Sequence, residues 1–86
     1  MGENQVTRLA DSKLRDTLAK VLLLDEAEIT DELARNGTEA WDSLGHLMLI
    51  SEVESTFQVT LSDDDILEIK TVGDLKKTLR KYGIDI

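Results

Sequence analysis

The chain has 86 residues, 41% hydrophobic and 33% charged, which suits one small soluble domain and leaves no room for a second core. Cysteine and proline are absent and histidine occurs once, which excludes disulfide frameworks, thiolate metal sites, cysteine nucleophiles and a histidine-built zinc site. The net charge of -8 argues against nucleic acid and anionic membrane surfaces as partners, and no apolar run reaches the ~18 residues of a membrane span.

The spacing predicts a first helix from about Val6 to Leu22. Its apolar residues Val6, Leu9, Ala10, Leu14, Leu18, Val21 and Leu22 recur every three or four positions. Asp25 to Gly37 breaks the pattern and reads as a long structured loop. Ile29 and Leu33 are its apolar anchors, and Asn36-Gly37 is its turn signal. A second helix starts after Asp42, a good N-cap, and runs to Phe57. Gln58 to Leu61 is a short connection. Ser62 and Asp65 have capping-box spacing and open a short third helix over Asp63 to Ile69. Thr71 and Asp74 repeat that arrangement before a last helix with the stripe Val72, Leu75, Leu79 and Tyr82. Gly83 is its stop. The expected fold is all-α: a small bundle of three longer helices and one short one, spanning about residues 6–83, with a long loop between the first two helices.

Charge is unevenly distributed. From Val21 to Ile69 the only Lys or Arg is Arg35, against 13 acidic residues. Such a field steers basic partners, although charge of this size also simply keeps a small protein soluble and monomeric.

On a helical wheel, Leu47, Ile50, Val53 and Phe57 form the expected core face of the second helix, with Leu49 at its flank. Leu44 and Met48 fall on the other side with Ser51, Glu52 and Ser55, as an expected docking spot. Ser43 lies in the first turn, where free N–H groups accommodate phosphate. His46 sits near the core edge. Asp42, Ser43 and His46 list the members of a hydrolase triad, but adjacent helical residues do not face one another, and there is no G-x-S-x-G elbow. Asp63-Asp64-Asp65 lacks the alternation, glycine and closing glutamate of a calcium loop and reads as a solvated first turn. Trp41 is read as a loop anchor in preference to a contact for a ligand or partner.

Asp42-Ser43-Leu44, at the start of the second helix, resembles the carrier signature of acyl carrier proteins. The resemblance extends from about Val6 to Tyr82 and takes in the long loop, the Phe57 helix end, the short acidic third helix and Ile69-Lys70-Thr71-Val72-Gly73-Asp74-Leu75. It implies that a phosphopantetheinyl transferase joins 4'-phosphopantetheine from coenzyme A to Ser43, beside Asp42 and Leu44. The working thiol is then imported with the arm, and the core residues of the second helix are candidates to shelter an acyl chain. The lack of a targeting signal, together with the coenzyme A dependence of the modification, makes cytoplasm the expected compartment. The resemblance also implies a non-catalytic carrier. It would dock acyl-loading and acyl-processing enzymes, through their basic or apolar patches, on Leu44, Gly45, Met48, Ser51 and Glu52. The sequence departs from the common fatty-acid pattern at Gly45, where aspartate is usual, at Met48, where glutamate is usual, and at Trp41. These departures point to a specialised member with a more apolar docking surface. An aminoacyl or peptidyl carrier of the same fold, and an unmodified helical interaction module, are the competing readings.

Overall fold

The computed structural model describes the backbone of residues 2–86 and the side chains from Leu9 onward. Four α-helices follow in order: α1 (Gly2–Leu22), α2 (Ser43–Phe57), α3 (Asp63–Glu68) and α4 (Val72–Lys81). Among the described residues there is no β-strand, only an isolated antiparallel bridge between Ala34 and Thr71. The expected all-α bundle with one long connection is the observed one.

Polar residues at the helix starts explain the boundaries. Asp42 accepts a hydrogen bond from the Gly45 N–H at 2.8 Å and caps α2. Ser62 accepts from the Asp65 N–H at 3.2 Å and caps α3. Thr71 and Asp74 form a reciprocal capping box on α4. The helix ends differ in kind. Leu23 and Gln58 adopt positive φ, 59° and 55°, and the N–H of the next residue reaches back to Ala19 and Glu54 respectively. This left-handed closure usually falls to glycine, so both sites carry backbone strain. Gly83, at φ 92°, closes α4 without it.

The core joins Leu14, Leu18 and Leu22 of α1, Leu49, Ile50 and Val53 of α2, Val72, Leu75 and Leu79 of α4, and the linker residues Ile29, Trp41, Leu61 and Ile69. Leu9, placed in the α1 stripe by its spacing, is 65% exposed. Val6 lies outside the residues whose side chains are described. The long loop is well anchored. Ile29 is buried, Leu33 half-buried, and Glu26–Glu28 forms one 3-10 turn that the sequence reading passes over. Three backbone bonds clip the loop to the entry of α4: Arg35 N–H to Lys70 C=O, Val72 N–H to Leu33 C=O and Gly73 N–H to Asp31 C=O.

Ion pairing reinforces this clip. Lys76 of α4 reaches Asp11 of α1 and Asp31 of the loop, both at 2.8 Å. Burial opposes the charge on Lys76, but the two carboxylates outweigh it and raise its pKa. The hydrogen bond from Lys76 in turn lowers the pKa of Asp31. Asp65 of α3 accepts from Lys81 and from the Tyr82 hydroxyl, the latter at 2.7 Å, and its pKa falls to about 2.

Candidate functional site

The start of α2 is where chemistry is available. Ser43 is its first residue and is exposed, next to the exposed cap Asp42. The first N–H groups of a helix lack intrahelical partners. Here the Asp42 carboxylate takes that of Gly45, and the Asp42 carbonyl takes that of His46. Those of Ser43 and Leu44 remain at the open mouth beside the Ser43 hydroxyl. A phosphodiester on that exposed hydroxyl fits these donors.

The residues behind Ser43 are buried and hydrogen-bonded. Trp41 is fully buried and His46 is 2% exposed. The Trp41 indole N–H donates to His46 Nδ1 at 3.0 Å, with the two ring planes only 13° apart. Nδ1 is therefore an acceptor, which places the imidazole proton on Nε2, where it donates to the Ile66 carbonyl at 2.8 Å. The pair thus joins the loop before Ser43, α2 and α3. Trp41 is an anchor and is not available to an arm or a partner. His46 is committed to structure and does not face Ser43 as a base.

The rotation of α2 corrects the wheel. The buried residues are Gly45, His46, Leu49, Ile50 and Val53. Leu49, expected at the flank, is 0% exposed, whereas Leu47, expected in the core, is 60% exposed; Phe57 is only half-buried. Gly45, expected on the docking face, is turned inward against the loop. A Cβ there would lie 1.8 Å from the Ala40 carbonyl oxygen, so the bare backbone is a packing requirement. The outer surface of α2 that the structure brings together is Leu44, Leu47, Met48, Ser51 and Glu52. Leu44 and Met48 are 68% and 54% exposed. Glu54 is drawn away from this face, where its carboxylate accepts from the Leu61 N–H at 2.8 Å. Leu47 is the surface residue that sequence reasoning missed. The inward pull of Gly45 and His46 was the signal for it, but it required knowing what they touch.

The comparisons with known proteins agree with this architecture. The family model described as the phosphopantetheine attachment site matches residues 12–79. The chain is 38% identical over 63 residues to the acyl carrier protein of Aster yellows witches'-broom phytoplasma (strain AYWB), covering 73% of this chain and 83% of that protein. It is 33% identical over 70 residues to the acyl carrier protein of Thermotoga maritima, covering 81% and 86%. Among solved structures it superposes with a TM-score of 0.76, at 29% identity, on a Mycobacterium tuberculosis chain designated an acyl carrier protein candidate. The match covers 85% of this chain and 97% of that one.

A helical bundle matched over residues 12–79 by the phosphopantetheine attachment site model is a carrier domain. The chain belongs to the acyl carrier protein family, non-catalytic in general, whose members bear phosphopantetheine covalently.

Proposed function

We propose that Ser43 is the attachment residue and that the chain carries acyl groups as thioesters between enzymes of a dedicated biosynthetic pathway. The observation that carries this reading is the exposed Ser43 hydroxyl at the free N-terminus of α2, inside the matched region. In the loading step, Ser43 Oγ attacks the phosphorus of coenzyme A that bears pantetheine. The Oγ–P bond forms, the bond to the adenosine-side phosphate breaks, and adenosine 3',5'-bisphosphate leaves. The hydroxyl proton passes to a base of the transferase, which also supplies the magnesium. When bound, the group supplies a terminal thiol, the one thiol of a chain that has no cysteine of its own. Tethering raises the effective concentration of the cargo at each enzyme that docks the chain.

Docking falls to the outer face of α2. Leu44, Leu47 and Met48 give it an apolar centre, Ser51 and Glu52 lie farther along, and α2 contains no Lys or Arg. Such a face suits enzymes whose docking patch combines apolar contacts with a limited basic rim. Methionine adapts to more than one partner surface. This composition favours a specialised carrier over the general fatty-acid one.

The test is intact-protein mass after incubation with coenzyme A, magnesium and a broad-specificity phosphopantetheinyl transferase. Wild type should gain one phosphopantetheine and Ser43→Ala none. A folded, unmodified wild type that gains nothing across several transferases would move the assignment to an unmodified interaction module.

A further inference from the structure

We infer that the arm on Ser43 does not hang free but lies along an open groove between α1 and α2, an inference that rests on the attachment proposed above. The groove has a volume of about 700 Å³, within the ~300–1,000 Å³ of ordinary ligand sites. Val21, Leu47 and Met48 give it an apolar section; Thr17, Ser51 and Thr56 give it hydroxyls; charged side chains of both signs rim it. Thr17 and Thr56 meet across it, with their oxygens 3.4 Å apart.

Position, length and chemistry select this occupant. Ser43, Leu47 and Ser51 are four residues apart and share one stripe of α2, so a chain leaving Ser43 along the helix meets the groove within one turn. The arm runs through about fourteen bonds from Oγ to sulfur, roughly 16 Å when extended at ~1.1–1.2 Å per bond. At ~1.5 Å per helical residue, Leu47 lies about 6 Å along the axis from Ser43, Ser51 about 12 Å and Thr56 about 20 Å. The arm therefore ends within the groove and not beyond it. Pantetheine alternates a gem-dimethyl carbon and short methylene runs with a hydroxyl and two amides. The groove offers apolar side chains and hydroxyls in the same confined strip. The bundle interior offers no equal path, because Leu49 and Val53 are fully buried and would have to be displaced. Leu47, held out of the core by the rotation of α2, is then the first apolar contact of the arm while no enzyme is docked on the same face.

The absence of cysteine makes the test direct, because a thiol-reactive nitroxide labels only the arm. Holo-protein whose mass confirms one arm would be labelled, and methyl NMR intensities compared with the reduced label. The inference expects loss of the Val21, Leu47 and Met48 methyl signals, with the exposed methyls of Leu9 and Leu67 retained. Leu47→Ser with Met48→Ser, at two exposed positions, should keep the fold and restore the remaining groove signals. Broadening centred on α3, or spread evenly over the surface, overturns the inference while leaving the attachment intact. Broadening that vanishes on dilution with unlabelled protein assigns the groove to a second copy and also overturns it. A wild type that gains no mass overturns the attachment itself, and the groove assignment with it.

Discussion

Replacing His46 with leucine tests the frame that holds the start of α2. His46 accepts from Trp41 and donates to the Ile66 carbonyl, and its side chain is almost wholly buried. Leucine has similar bulk and no polar atoms. It would leave a buried indole N–H and a carbonyl without partners, at about 1–3 kcal/mol for each group. Carbonyls tolerate this better than N–H groups. A net loss of about 2–4 kcal/mol is expected, against a total of roughly 4–13 kcal/mol for a chain of this length. With a urea slope of ~1–2 kcal/mol/M, the unfolding midpoint should fall by at least about 1 M. Trp41 is the only tryptophan, so its fluorescence reports the transition without labelling. A second arm adds Trp41→Phe, followed by circular dichroism, with an expected coupling of about 0.5–3 kcal/mol between the two sites. A His46→Leu protein within about 0.5 kcal/mol of wild type would refute the reasoning, as would strict additivity in the cycle.

Other substitutions separate packing from surface. Gly45→Asp, which installs the residue common in fatty-acid carriers, should destabilise by about 1–3 kcal/mol in urea unfolding, because the new Cβ meets the Ala40 carbonyl; an unchanged midpoint would contradict that contact. Leu49→Ala should cost about 2–5 kcal/mol, whereas Leu47→Ala should stay within ~0.5–1 kcal/mol, and equal losses would mean that α2 is rotated otherwise. The Asp65 carboxyl, held down to about 2 by Lys81 first and Tyr82 second, gives a sign that can be worked out. Its folded pKa lies below the unfolded value of about 3.9, so its contribution is full above that value and is lost as pH falls through about 2. Unfolding midpoints of wild type and Asp65→Asn should therefore differ at pH 6 and draw together as pH falls from 4 through 2; a gap at pH 2 as wide as that at pH 6 would show that the pair is not its source.

The ends of the helices were legible because they are written locally. Asp42, Ser62 and the Thr71–Asp74 pair each satisfy a backbone donor within three residues, and such chemistry needs no knowledge of the rest of the chain. Ser43 was legible only as the residue after a cap; its role as the attachment residue was read from the resemblance of Asp42-Ser43-Leu44 to the carrier signature. The rotation of α2 was not. Leu44, Leu47, Met48, Leu49 and Ile50 place apolar side chains around most of the helix, so periodicity offers no single inward face. What decides it is tertiary. The Ala40 carbonyl admits only a glycine, and the indole of Trp41 and the carbonyl of Ile66 require an imidazole between them. The 3-10 turn after Asp25 did leave a trace, since Glu28 stands three residues on and its carboxylate accepts the Asp25 N–H at 3.0 Å. The hub at Lys76 left none, because Asp11 and Asp31 are distant in sequence and meet only in the fold.

The clip between Asp31–Arg35 and Lys70–Gly73 divides the long connection into two short ones. An insertion between Gly37 and Thr38 lengthens only the segment closed by the bond from the Asn36 N–H to the Trp41 carbonyl, and each doubling of such a segment costs roughly 0.6 kcal/mol. The same insertion among residues 31–35 shifts the register of three backbone bonds at once. Drift in length is therefore confined to the tip at Gly37–Thr38, while Ala40 and Trp41 stay fixed against α2 and the base of the loop against α4. A lineage can thereby reshape the approach to the serine without disturbing the bundle that presents it.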